Sequence, residues 1–99
     1  MSTLFVCMVN YTAPLEKIEE VLALHRAYLK EGYEKGFLLA SGPRNPREGG
    51  LIIARFPNRQ EAIAFSKNDP FCINGVAKYE FIEFDAVLHA HCLNDFLKQ

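Results

Sequence analysis

The hydrophobic and polar positions along the chain alternate between two kinds of pattern. Residues 4–11, LFVCMVNY, form a nearly continuous apolar run with β-branched and aromatic members, which predicts a strand covered on both faces. Thr12, Ala13 and Pro14 then open a helix, with Pro14 suited to its first turn and Glu16, Glu19 and Glu20 favoured there by the helix dipole. Its inner stripe is Leu15, Ile18, Leu22, His25 and Leu29, flanked by Val21 and Tyr28, and the helix runs to about Gly32 or Gly36. GFLLASGP (36–43) reads as a second strand closing in a Ser-Gly-Pro turn, RNPREGG as a loop, and LIIARF (51–56) as a third strand apolar on both sides. Asn58 with Glu61 forms a capping pair for a short helix to about Asn68, where Asp69-Pro70 stops it. AKYEFIEFDAV (77–87) is the fourth strand, and LHAHCLNDFLKQ a tail with a short terminal helix.

The order β-α-β-β-α-β is the split βαβ, ferredoxin-like α+β pattern, an antiparallel sheet with both helices on one face. The first and third strands are apolar on both faces, so the other face would stand open as a large apolar patch. A second copy packed sheet to sheet, about 10 Å away, covers it. A homodimer with a barrel-like core is therefore expected; the alternative is that the tail folds back over the open face.

The 99 residues suit a single domain over 1–99, with a core of about 4–88 and a tail of 89–99. A formal net charge of −1 offers no bulk attraction for nucleic acid or anionic lipid. No apolar run approaches the roughly 20 residues of a membrane span. The beginning of the chain lacks a signal-peptide layout, so a cytoplasmic protein is expected. Cys7, Cys72 and Cys92 are odd in number and scattered, which argues against a disulfide framework. Cys7 reads as a core thiol, and nothing near Cys72 marks it as a nucleophile.

Two residues invite chemistry. His25 takes a slot in the inner stripe of the first helix, either as a satisfied core residue or as a held base; buried, it needs a hydrogen-bond partner. Asp69, at the end of the second helix, can supply one, because the two helices of this fold are antiparallel neighbours on one face of the sheet. The plainer reading of Asp69 is a turn former bonded to nearby backbone.

HRAYLKEGYEKGFLLASGPRNPREGGLIIARF, followed by NDPF and EFIEF, resembles the YciI-like, or YCII-related, family over about residues 4–88. The motifs that carry the resemblance are His-Arg, Ser-Gly-Pro, Gly-Gly and Asp-Pro-Phe, in that order. The resemblance implies a ferredoxin-like dimeric α+β barrel and an active site built on a histidine and an aspartate. These fall on His25 and Asp69, with Ser41, Gly42 and Pro43 at the pocket edge.

Asp69 would then accept a hydrogen bond from one imidazole nitrogen while the other takes or delivers a proton. No serine or cysteine nucleophile is evident, and Ser41 reads as a polar turn residue, so isomerisation or elimination fits better than acyl transfer. The expected function is a cofactor-independent lyase or isomerase. A pocket walled by rings such as Phe5, Tyr28 and Phe71 would suit a small ligand, aromatic or lactone-like. Arg26 leaves the inner stripe by about 100° and either pairs with surface glutamates or holds a substrate carboxylate at the rim. The alternatives are a non-catalytic ligand-binding or accessory module, and a pure interaction domain in which His25 and Asp69 form a structural bond.

Other signals carry less. His89, His91 and Cys92 give two metal ligands on any one face, short of a site. SGPRNPREGG joins two strands and lacks the phosphate-loop lysine, leaving Arg44 or Arg47 at most a contact to an anion. RNA-binding domains share this strand order but show basic and aromatic residues on the third strand, where LIIARF shows aliphatics.

Overall fold

The computed structural model describes residues 3–98. Strand β1 (Thr3–Tyr11) leads into helix α1 (Leu15–Glu34), followed by β2 (Leu38–Pro43), β3 (Gly49–Ala54), α2 (Arg59–Lys67), α3 (Pro70–Ile73) and β4 (Ala77–Asp85). A 3-10 turn at His91–Leu93 then enters α4 (Asn94–Lys98). The strands form one antiparallel sheet in the order β2-β3-β1-β4, the ferredoxin-like arrangement. Among the described residues, no helix is long and apolar enough to cross a membrane.

Helix boundaries follow local chemistry. Gly36, at φ 80°, takes the left-handed conformation after α1 that residues with a Cβ disfavour. Asn58 caps α2 by accepting from the Glu61 N–H at 2.9 Å. Within α1, Ile18, His25 and Leu29 are buried as the helical stripe requires, whereas Leu15, at the first turn, is 46% exposed.

Period-two alternation sorts β1 into two faces. Phe5, Cys7 and Val9 point beneath the helices and join Ile18, Ile52 and Phe71 in the main core. Pairing in register puts Phe81 opposite Cys7 and Tyr79 opposite Val9, on that same face. The other face carries Val6, Met8, Leu51, Ile53, Ile82 and Phe84. Ile82 is 51% exposed and Phe84 45%. Among the described residues, the tail covers one end: Leu97 packs with Leu4 and Ala86, flanked by Leu93 and Phe96.

Two local expectations are corrected. Ser41, Gly42 and Pro43 are not a turn; they are paired residues of β2, opposite Ile52, Leu51 and Gly50. Pro43 is tolerated because β2 is an edge strand, and the chain reverses after it. Asp69-Pro70 does not merely stop α2. It also starts α3, which the sequence pattern is too short to reveal.

Candidate active site

Pro70 forces Asp69 out of the helical region, to φ −69° and ψ 128°, and itself takes the first position of α3. In that conformation the Asp69 side chain caps α3, its Oδ1 accepting from the Phe71 N–H at 2.9 Å. The carboxylate is fully buried, at 0% exposure, and turned towards α1. There Nδ1 of His25 donates to the same Oδ1 at 2.8 Å. The hydroxyl of Tyr79, from β4, donates to Oδ2 at 2.5 Å. Three donors from three elements thus satisfy one buried acid.

These partners select the tautomer of the imidazole. A carboxylate only accepts, so the neutral His25 ring carries its hydrogen on Nδ1 and keeps a lone pair on Nε2. Burial, and then the charge of Asp69, push the Tyr79 phenol far above its ordinary pKa, so it stays a donor. The imidazole is held in the remaining direction by Phe71, whose ring stacks on it with centroids 3.8 Å apart and planes 4° from parallel. Phe71 is held in turn by Tyr11, in a T-shaped contact at 6.0 Å.

His25 opens onto a cavity of about 580 Å³ between α1 and the helix-facing side of β1, β3 and β2. That is within the usual range for small-ligand pockets. Its apolar wall is Val9, Leu22, Leu29, Ile52 and Phe71; Ser41, Gly42 and Pro43 line the β2 side, and Glu19, Arg26 and Arg47 bring charge. The Ser41 hydroxyl is engaged with the Tyr33 hydroxyl at 2.7 Å.

Of the residues singled out in the sequence, His25, Arg26, Ser41, Gly42, Pro43 and Phe71 come together on this cavity, with Asp69 directly behind His25. Tyr28 does not join them. Its hydroxyl donates to the Phe65 carbonyl at 2.7 Å, so the ring ties α1 to α2. Phe5 also lies elsewhere, edge-on to Phe56 in the core. Among the described residues, Arg26 forms no ion pair with a glutamate; it lines the cavity. Arg44 is tied to the Val9 and Gly50 carbonyls and to Asn10.

Sequence reasoning missed Tyr79, Tyr11 and Glu19 at this site, and read Arg47 only as a loop residue able to contact an anion. Tyr79 had a usable signal. In the alternating fourth strand it shares the core-facing side with Ala77 and Phe81, and it alone of these brings a hydroxyl to a buried carboxylate. Among the described residues, no group of three or more His, Cys, Asp or Glu side chains is placed to hold a metal ion. His89 and His91 are engaged locally, with the Ala90 carbonyl and with Asn94.

The family model described as "YCII-related domain" matches residues 3–85. Two solved structures share the fold. One is the 5-chloro-2-hydroxyhydroquinone dehydrochlorinase of Burkholderia phenoliruptrix, solved with 2,5-dihydroxybenzoquinone. It is 23% identical, with a TM-score of 0.68 over 82% of this chain and 90% of that one. The other is an antibiotic biosynthesis monooxygenase, 21% identical, with a TM-score of 0.57 over 86% of this chain and 99% of that one. No curated protein matches the chain.

Proposed function

The chain belongs to the YCII-related domain family, and from that premise we propose that it is a small-molecule enzyme moving protons with His25. Asp69, Tyr79 and Phe71 would hold the imidazole for that work. The observation that carries the reading is the fully buried Asp69 bonded to Nδ1 of a histidine that lines a cavity. A merely structural histidine has no need to face a cavity of this size.

In this reading Nε2 takes a proton from an activated C–H of the substrate. Asp69 stabilises the imidazolium that forms and prevents the ring from turning. The electron pair left behind either expels a leaving group as an anion, an elimination, or spreads into an adjacent carbonyl. In the second case the imidazolium returns the proton at another carbon, an isomerisation. The apolar wall with Phe71 favours a small ring as the body of the substrate. Support comes from the dehydrochlorinase, which shares the fold and was solved with a ring-shaped ligand.

The test is a screen of small aromatic and lactone compounds against the wild type, His25→Gln and Asp69→Asn. The expected result is turnover that falls at least about 100-fold in His25→Gln, the scale of a lost general base, with the fold intact. Undiminished turnover in both variants contradicts the proposal. Retained binding with no turnover by the wild type favours a ligand-binding module instead.

We also propose that a second copy covers the open face of the sheet. The support is the exposed Ile82 and Phe84 beside Val6, Met8, Leu51 and Ile53, while among the described residues of α4 Leu97 packs at the Leu4 end. A patch of this kind is uncommon on a soluble monomer.

A further inference from the structure

We propose that the cavity selects a carboxylate-bearing substrate, a small ring acid whose body lies against the apolar wall around Leu22 and whose carboxylate is held by Arg26. This names the substrate class of the proton-transfer reading and rests on it.

The charges on the cavity wall carry the inference. Arg26 follows His25 in α1, and both line the cavity. The other arginines are engaged. Arg44 bonds the Val9 and Gly50 carbonyls, Arg47 pairs with Glu19 at 2.6 Å, Arg59 pairs with Glu83 at 3.4 Å, and Arg55 lies over the Phe96 ring at 5.1 Å. Among the described residues, Arg26 makes no ion pair or hydrogen bond with the protein. Arg26 is exposed at the cavity wall, and its guanidinium is a planar fork of donors open to a ligand.

The rest of the wall agrees. Glu19 is the one carboxylate among the described cavity-lining residues, and Arg47 neutralises it. Asp69 stands behind the His25 ring, and its oxygens are occupied by His25, Phe71 and Tyr79. With Arg26 and Arg47 against Glu19, the wall carries net positive charge, which attracts an anion and repels a cation. The apolar side, from Leu22 and Leu29 to Phe71, rejects a small hydrophilic anion with no body to bury. A ring acid satisfies both halves: an apolar body for the Leu22 and Leu29 side of the wall, and two coplanar oxygens for the guanidinium. It also suits the chemistry, since the bound end fixes which C–H faces Nε2.

The test uses 4-hydroxybenzoate and its neutral isostere 4-hydroxybenzamide as probes. Binding is followed by proton–nitrogen NMR titration of the wild type, Arg26→Gln and His25→Gln, whose spectra also report the fold. The expected result is that the wild type prefers the acid by about fivefold to tenfold, the scale of one charge-assisted contact in a partly exposed site. The preference should vanish in Arg26→Gln and persist in His25→Gln. Equal affinity for the two probes, no binding of the acid, or a preference unchanged in Arg26→Gln overturns the proposal. Failure of the general-base reading would appear separately, as turnover unaffected in His25→Gln while the acid preference stands.

Discussion

The hydroxyl of Tyr79 donates to Oδ2 of Asp69 at 2.5 Å, on the side of the carboxylate opposite His25. One oxygen therefore serves the imidazole and the cap of α3, while the other is held from the sheet. Without the phenol, Oδ2 would be buried with no donor, and the carboxylate would be free to pivot. In Tyr79→Phe, stability should fall by about 1–3 kcal/mol, the cost of an unsatisfied buried acceptor, by urea unfolding. The His25 Nδ1–H resonance should also broaden, as its partner loses a fixed position. A change within about 0.5 kcal/mol, the range of ordinary surface substitutions, with the resonance unaltered, would remove Tyr79 from the site.

Alkaline pH should destabilise the fold. Burial pushes the Cys7 thiol from 9.0 up to about 12, and burial with the Asp69 charge pushes Cys72 up to about 11. Burial, followed by the Asp69 and Glu31 charges, pushes Tyr28 from 10.0 up to about 12. Above their ordinary values these groups lose protons in the unfolded chain but not in the folded one. The unfolded state then binds fewer protons, and stability falls as pH rises. Their contribution is complete below about pH 9 and is lost progressively towards about pH 12. Urea midpoints should be flat with respect to these groups at pH 7–8 and decline above about 9. Cys7→Ala should be less stable at neutral pH yet decline less steeply. Parallel declines in the two proteins would contradict this assignment.

Ile82 tests the open face. The wild type should sediment as a dimer, and Ile82→Glu should shift it to monomer while far-UV circular dichroism stays unchanged. Ile82 is 51% exposed in the isolated chain, so the charge meets no core there. It becomes costly only when a second sheet removes the water around it. A wild type that sediments as a monomer at micromolar concentration would dispose of the interface.

The strand and helix pattern was legible because apolar periodicity and caps act locally. The run 4–11, the stripe through Ile18, His25 and Leu29, and the Asn58 cap all report what their own neighbours need. The pairing of His25 with Asp69 was legible one step further on, from the topology of the fold together with the family resemblance. Tyr28 was misplaced as a cavity wall because helical spacing gives only a direction around α1. Phe65 of α2 decides where that ring comes to rest. Tyr79 was hidden for a related reason. A tyrosine in a half-covered strand is ordinary until register puts it opposite Val9, within reach of Asp69. Helix α3, only Pro70–Ile73, is too short to show a period; only its Asp-Pro start could be read.

The central claim is that Nε2 of His25 moves protons in the cavity, and deuterium uptake from heavy water measures this without knowledge of the full reaction. Enolisable ring ketones and lactones would be incubated with the wild type and with His25→Gln, and incorporation followed by NMR. The expected result is exchange at an acidic C–H at least about 100-fold faster with the wild type, the scale of a general-base contribution. Equal exchange by the two folded proteins would contradict the claim.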